Sequence, residues 1–344
     1  MEMNCSIPFD DFDCILLGHG GGGRLTQRLI REVFYPAFDN PLLAQDHDGC
    51  VFPVAAGRMA CSADSFVVSP LFFPGGNIGD LAVNGTVNDL ACCGARPLYL
   101  TAGFIIEEGL PLGDLRRVVA SMQQAARRAD VRIIAGDTKV VERGRCDGLY
   151  IHTAGIGIVP EDADIAPCRA ADGDVVICSG PIGVHGIAIL SARESLGFET
   201  ALRSDTAALH HLTSSLLANI RDVHVLRDPT RGGVATALNE IASAASVHIV
   251  LEEEQIPLPA PVRAAAEMLG LDPLYIANEG ILLAILPEMY AGSALRILRA
   301  HPEGREAAII GHIETGPPSV RLKTLLGGSR IVDIPSGEQL PRIC

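Results

Sequence analysis

Short apolar runs alternate with amphipathic stretches along the whole of this chain, and that interleaving limits the fold more than any other feature. None of the runs reaches the roughly 18 residues that a membrane-spanning helix needs. Continuous or alternating apolar character predicts strands at 59–63, 65–68, 98–106, 131–135 and 149–159. Leu115, Val118, Val119, Met122, Ala125, Ala126 and Ala129 recur at helical spacing and predict a helix over 114–129. The second half repeats the mixture. Strands are expected at 175–180, 247–252, 281–286 and 330–334, and helices at 186–197, 205–221 and 232–245. Near the start, CILL (14–17) reads as a short buried strand, with a helix from Thr26 onward. The polar stretch VPEDADIAPCRAADGD (159–174), with two prolines, breaks the pattern and marks a domain boundary. The expected organisation is therefore α/β, with domains at 1–160 and 161–334 and a mobile tail at 335–344 that has turn formers but no periodicity. No repeat of 20–50 residues is visible.

Charge excludes one class of partner. The chain has 27 basic and 41 acidic residues, a net charge of −14, whereas nucleic-acid binding needs a basic footprint. Trp is absent and aromatics are 4%, which argues against base stacking on single strands. A nucleotide is still compatible, because glycine amides and a metal can hold phosphates locally. The N-terminus lacks a basic and then apolar leader, so a cytoplasmic protein is expected. Ten cysteines without a C-x-x-C pair read mostly as reduced core residues, with Cys92 and Cys93 facing different sides of a helix.

GHGGGG (18–23) is the first candidate site. Successive glycines let backbone N–H groups converge on an anion. The run fits neither common phosphate fingerprint: no acidic strand end follows, and Arg24 and Leu25 stand where a Walker loop needs Lys and Ser/Thr. A flexible surface loop is the competing reading. Aspartates at expected strand ends form the second pattern: Asp64 in MACSADSF, Asp137 in RIIAGDTKVV and Asp228 in VHVLRDPTRGG, with Asp89 in LAVNGTVNDLACCGA and Asp48 in AQDHDGCVF. Each alone can be a cap or turn residue. Together they suit Mg²⁺ held against phosphates. Lys139 lies two residues after Asp137, on the same side of an extended segment. Glu279, before the apolar ILLAIL, is a carboxylate entering an apolar setting, which suits general-base work; a strand-edge charge is the plainer alternative. The histidines show no metal-ligand spacing. Cys344 ends the chain, either as an incidental thiol or as a tethered carrier.

Taken together, GHGGGG, DSFVVSPLFFPGGNIGDLAVNGTVNDLACCGA, GDTKVV, RDPTRGGVATALNEIA, ANEG and the terminal PRIC resemble the carbamoyl dehydratase (HypE) family of nickel–iron hydrogenase maturation. That family belongs to the superfamily of aminoimidazole ribonucleotide synthetase, thiamine-monophosphate kinase and selenophosphate synthetase. The resemblance spans essentially the whole chain. It departs at GVHG (183–186), where the family usually has Asp and this chain has Val184. It implies an aminoimidazole ribonucleotide synthetase-like (PurM-like) fold, with an N-terminal α/β domain whose strands form a homodimer, a C-terminal α+β domain and the tail. It implies ATP and Mg²⁺, with Gly20, Gly21, Gly22, Gly23, Asn88, Asp137 and Thr138 contacting ATP. Asp48, Asp64, Asp89, Asp137 and Asp228 are then the metal candidates. It implies that a carbamoyltransferase, HypF, loads a carboxamide onto Cys344. The chain dehydrates that group to a thiocyanate, with Glu279 as base and Lys139 polarising the oxygen, and passes the cyano group to a HypC–HypD complex. Two other readings are a small-molecule kinase or synthetase of the same superfamily and a non-catalytic scaffold.

Overall fold

A computed structural model describes residues 13–45, 50, 52–53, 56–193, 202–335 and 342–343. In chain order, α1 (Arg24–Leu29) and α2 (Tyr35–Phe38) flank a π-helical turn at Ile30–Phe34. Then come β1 (Arg58–Phe66), a minimal hairpin of β2 (Phe72–Phe73) and β3 (Gly76–Asn77), and α3 (Ile78–Cys92). β4 (Arg96–Glu107), α4 (Leu112–Arg128), β5 (Arg132–Val141) and β6 (Leu149–Val159) complete the first unit. β1, β6, β4 and β5 form a sheet in that order; only the β4–β5 pair is parallel, as the crossover through α4 requires.

One face of this sheet is covered by α3 and α4. Asn77 caps α3, accepting from Gly79 N at 2.8 Å, while Asp80 reaches back to Asn77 N at 3.1 Å, a reciprocal capping box. α3 is rich in small residues, and the two helices pack closely: a Cβ on Gly79 would collide with the Val118 carbonyl. α4 buries Leu115, Val118, Val119, Met122, Ala125 and Ala126, the stripe that its periodicity predicts. Each large side chain so buried contributes about 1.5–3 kcal/mol. The other face of the sheet is open, with Met59 and Ile105 45% and 44% exposed.

The second unit runs β7 (Asp174–Cys178), α5 (Val184–Ser191), α6 (His210–Asn219), β8 (Val225–Arg227), α7 (Gly233–Ala245) and β9 (His248–Glu252). It continues with α8 (Ala260–Leu269), β10 (Leu283–Pro287), α9 (Ala291–Arg299), β11 (Ala308–Glu314), β12 (Ser319–Lys323) and β13 (Ser329–Val332). Its seven-stranded sheet has the order β13-β12-β9-β11-β7-β10-β8 and is antiparallel except at β12–β9. Alternate residues of β7 face different layers: Val175 and Ile177 join α6 and α9, while Val176 and Cys178 join α7. The hydrophobic cluster of the first unit continues into α5 and α8.

Several expectations are corrected. CILL is not a strand; only Cys14 bridges, to Pro111, and Leu17–Gly20 is a 3₁₀ turn. The segments expected at 59–63 and 65–68 join as one strand that ends at Phe66. β5 extends to Val141, because β4 offers register partners up to Glu107. Residues 205–209 form no regular element rather than a helix, for a reason given below. Cys92 is buried and Cys93 exposed, on different sides of α3 as expected.

Candidate active site

Three of the singled-out aspartates and Glu279 converge where the two units meet. Asp64 lies inside β1, on the rung of Thr153 in β6. The Thr153 hydroxyl meets Thr86 Oγ1 at 2.6 Å and donates to the Ala82 carbonyl at 2.9 Å, so Asp64 is on the helix-covered face. Asp89, on the last turn of α3, accepts from Ser62 Oγ and shares a hydrogen bond with Asp64. Asp228 follows β8 and is 8% exposed; Glu279 precedes β10 and is 3% exposed. Burial, then repulsion from Asp89, pushes the Asp64 carboxyl up to about 6, with Arg231 partly opposing. The same two causes lift Asp228 to about 7. Burial, then Asp205 and Asp228, raises Glu279 well above the ordinary carboxyl range. The field reaches Cys92, whose thiol is raised by burial and by Asp228 and Asp89.

Backbone segments around these acids are tied together by buried amides. Asn84 Nδ2 donates to Thr206 Oγ1 at 3.1 Å. Asn88 Nδ2 donates to the Ala207 and Glu279 carbonyls at 2.9 and 3.4 Å, and its Oδ1 accepts from Leu209 N at 2.8 Å. Glu279 N donates to Asp205 Oδ1 at 3.1 Å. Asn278 accepts from Gly183 N at 2.7 Å and donates to the Pro229 carbonyl at 2.8 Å. These bonds tie 205–209 to α3 and the Glu279 loop, which is why the expected helix starts only at His210. Asn88, expected at the nucleotide, fastens the Glu279 loop through these bonds. Asp205, Asn84 and Asn278 escaped the sequence reading. Asn84 and Asn88 sit four apart in a helix of small apolar residues, and two amides on one buried face was the available signal.

The glycine run belongs to a second cluster. Gly20 packs on β5: a Cβ there would lie 2.6 Å from Val140 N, so only glycine fits this close approach. Gly22 N donates to Thr26 Oγ1 at 2.9 Å, and Gly23 precedes α1. Beside this loop, exposed Asp137 and Lys139 pair at 3.1 Å, and Thr138 N donates to Asp137 Oδ1 at 2.8 Å. The pairing with Lys139 holds the Asp137 carboxyl below its usual range. A cavity of about 200 Å³, lined by Thr26, Phe34, Tyr35, Phe104, Ile133 and Thr138 among others, opens next to them.

The register separates the two clusters. Asp64, Thr153, Ala102 and Gly136 form one rung across β1, β6, β4 and β5. Three inter-strand steps make about 14 Å. Asp137 follows Gly136 and therefore faces the open side. Within one chain Asp64, Asp89 and Asp228 converge, while Asp137 and Lys139 occupy the opposite edge and face of the sheet. Asp64 and Asp137 also lie within strands, not at strand ends. Asp48 and Cys344 fall outside the described residues.

The acid cluster is made of hard oxygen donors that repel one another, which a divalent cation would offset. Among the described residues no three such side chains are close enough to ligate one ion. That spacing still fits Mg²⁺, which takes one or two carboxylates and completes its shell with water and phosphate oxygens.

Comparisons with known proteins agree with this architecture. The family "AIR synthase related protein, N-terminal domain" matches residues 46–159, and its C-terminal domain counterpart matches 171–323. The chain is 56% identical over 330 residues to the carbamoyl dehydratase HypE of Cupriavidus necator, covering 95% of this chain and 94% of that one. A solved structure of hydrogenase maturation protein HypE in complex with ATP is similar with a TM-score of 0.92 and 48% identity, over 96% of this chain and 99% of that one. The match in a HypE–HypF complex has a TM-score of 0.79 and 48% identity, over 89% and 99%.

Proposed function

This chain belongs to the HypE family of carbamoyl dehydratases, within the AIR synthase-related proteins, and on that premise we propose that it uses ATP to turn a carboxamide on the Cys344 thiol into a thiocyanate for nickel–iron hydrogenase maturation. The observation that carries this reading is Glu279, buried among Asp64, Asp89, Asp228 and Asp205 where the two units meet.

An amide oxygen is a poor leaving group, and phosphorylation cures that. The carboxamide oxygen attacks the γ-phosphorus of ATP, the bond to ADP breaks, and the nitrogen gives one proton to Glu279. The carbon–oxygen bond of the resulting iminophosphate then breaks. The second N–H proton leaves with the phosphate, and S–C≡N remains. Carboxamide and ATP thus become thiocyanate, ADP and phosphate. Glu279 takes that proton only when ionised, and a cation held by the neighbouring aspartates would favour that form by offsetting their charge. Asp64, Asp89 and Asp228, with Asp48, are the groups that would hold Mg²⁺, whose charge offsets that of the phosphates. The amides of Gly20 to Gly23, with Asp137 and Thr138, would meet the phosphates or ribose of an ATP held by a partner copy.

We propose a homodimer through the open face of the first sheet, where Met59 and Ile105 are uncovered. Lys139 lies on that face, so its charge is offered to a partner copy and not to Glu279 of its own chain. Loading by HypF and delivery to HypC–HypD, in the cytoplasm, complete the proposal. Among the described residues no helix is long and apolar enough to cross a membrane.

Intact-mass analysis tests the reading. Incubation with the carbamoylation system should add a carboxamide to Cys344, and ATP should then remove one water from the adduct. ATP consumption with no loss of water from the adduct would overturn it.

A further inference from the structure

Two imidazoles and a carboxylate stand together on the second sheet, away from the acid cluster. Ile249, Leu251 and Ile313 pack toward α7, so His248, His312 and Glu314 point to the other face. Glu314 lies directly opposite His248 across the β9–β11 pair, and His312 precedes Glu314 by two. Opposite Cβ atoms in such a pair are about 4.5–5.5 Å apart, and same-face neighbours along a strand about 7 Å. His312 Nε2 donates to Glu314 Oε1 at 2.9 Å. Two ligands held about 2.0–2.1 Å from one tetrahedral ion lie about 3.3 Å apart, so an ion fits between these atoms in place of the proton with little movement. The bond to His312 holds the Glu314 carboxyl below its usual range, in the ionised form. His248 is prepared in the same sense. Ser319 Oγ donates its only proton to the Pro317 carbonyl at 2.8 Å. It therefore accepts from His248 Nδ1, 2.8 Å away, and Nε2 of the neutral ring keeps its lone pair. Gly316 packs on this side chain: a Cβ there would lie 3.0 Å from His248 Cβ.

We propose that His248, His312 and Glu314 form a binding site for a divalent transition-metal ion of the Zn²⁺ class, which clamps β9 to β11. Two imidazoles and one carboxylate favour Zn²⁺ over Mg²⁺, in contrast to the all-oxygen cluster beside Glu279. Among the described residues no three donors meet at one point as they stand. The ion closes the site by drawing His248 Nε2 toward the His312–Glu314 pair. Ser319 stays behind Nδ1 as the partner that orients a metal-bound imidazole. Binding releases the proton of His312 Nε2. Three protein ligands leave a fourth position for water or for a donor from a bound molecule. Lys323, whose charge acts on Glu314, is neutralised by Glu252 at 2.8 Å.

The experiment strips full-length protein with EDTA and titrates it with Zn²⁺ against a chromophoric chelator, and with Co²⁺ read by its visible spectrum. Wild type is compared with His248→Ala, His312→Ala, Glu314→Gln and Ser319→Ala. Cysteines and the acid cluster offer other places for a metal, so the deciding quantity is the difference between each variant and wild type. Each of the three ligand variants should bind one Zn²⁺ equivalent on the order of 10–100-fold more weakly. Ser319→Ala should weaken it by about tenfold. Excess Mg²⁺ should leave this equivalent bound. The difference Co²⁺ spectrum should show d–d bands without a thiolate charge-transfer band. Zn²⁺ should raise the urea midpoint of wild type more than that of His312→Ala, while the metal-free midpoints stay close, which also shows that the variant folds. Equal Zn²⁺ affinity in wild type, His248→Ala and His312→Ala, or a difference spectrum dominated by thiolate, would remove the site. Binding is read without ATP or a carbamoyl group, so a failure of the dehydratase reading leaves this result standing.

Discussion

The backbone N–H of Glu279 donates to Asp205 Oδ1 at 3.1 Å, so the proposed base is held in place by another buried acid. Asp205 Oδ2 is buried without a hydrogen-bond partner among the described residues, and burial pushes its carboxyl up to about 6. Asp205 fixes the Glu279 loop and also makes ionising Glu279 harder.

Glu279→Gln keeps the shape and removes the base. Loading of Cys344 and ATP affinity should persist, while dehydration slows on the order of 10²–10⁴-fold. Mass spectrometry should show the carboxamide persisting; a thiocyanate formed at the wild-type rate assigns the proton to another group.

The raised carboxyls make metal-free stability depend on pH. Asp64, Asp205 and Asp228 bind protons more tightly when folded. Their contribution is full below the ordinary carboxyl value and is lost as pH rises through about 6 for Asp64 and Asp205 and about 7 for Asp228. His185 and His210, lowered to about 4, act oppositely: stability falls as pH drops from their ordinary value toward 4. The clean measurement is therefore a difference. In EDTA, Asp228→Asn should exceed wild type in urea stability by about 1–3 kcal/mol at pH 8 and by much less at pH 5. An equal difference at both pH values would rule out a costly charge at Asp228.

Asp89→Asn should weaken Mg-ATP binding by about 1–3 kcal/mol, as loss of a charge-assisted contact does. Titration calorimetry with and without Mg²⁺ reads this. Unchanged affinity in a folded variant would remove Asp89 from the metal set.

Asn88→Ala loses three bonds to 207, 209 and 279, and should cost about 1–3 kcal/mol of stability in urea. At temperatures where the variant is folded, its ATP affinity should match wild type. A selective loss of affinity with unchanged stability would restore Asn88 to the nucleotide site.

Lys139→Ala and Glu279→Gln should each leave little dehydration alone. Mixed after co-expression, they should recover about one quarter of wild-type activity, because random pairing gives half heterodimers with one intact site each. No recovery would mean that Lys139 and Glu279 act within one chain.

Local pattern determined much of this protein. The stripe of α4, the alternation of β6 and the apolar run leading into β10 could be read directly, because side-chain periodicity reports burial. The residue types also exposed Asp64, Asp89, Asp228 and Glu279 as unusual company for apolar segments. Only the tertiary structure decided which acids meet. Period two says that Asp137 and Lys139 share a side, but it carries no information on which strand pairs with which. The order β1-β6-β4-β5 put Asp137 at the opposite edge and face from Asp64. Helical propensity likewise failed at 205–209, where bonds from Asn84, Asn88 and Glu279 outweighed it. The seat of Ile343 on His185 joins positions 158 residues apart. Such contacts depend on long-range packing and hydrogen bonding that no local periodicity encodes, because their free energy arises only when distant segments are brought together.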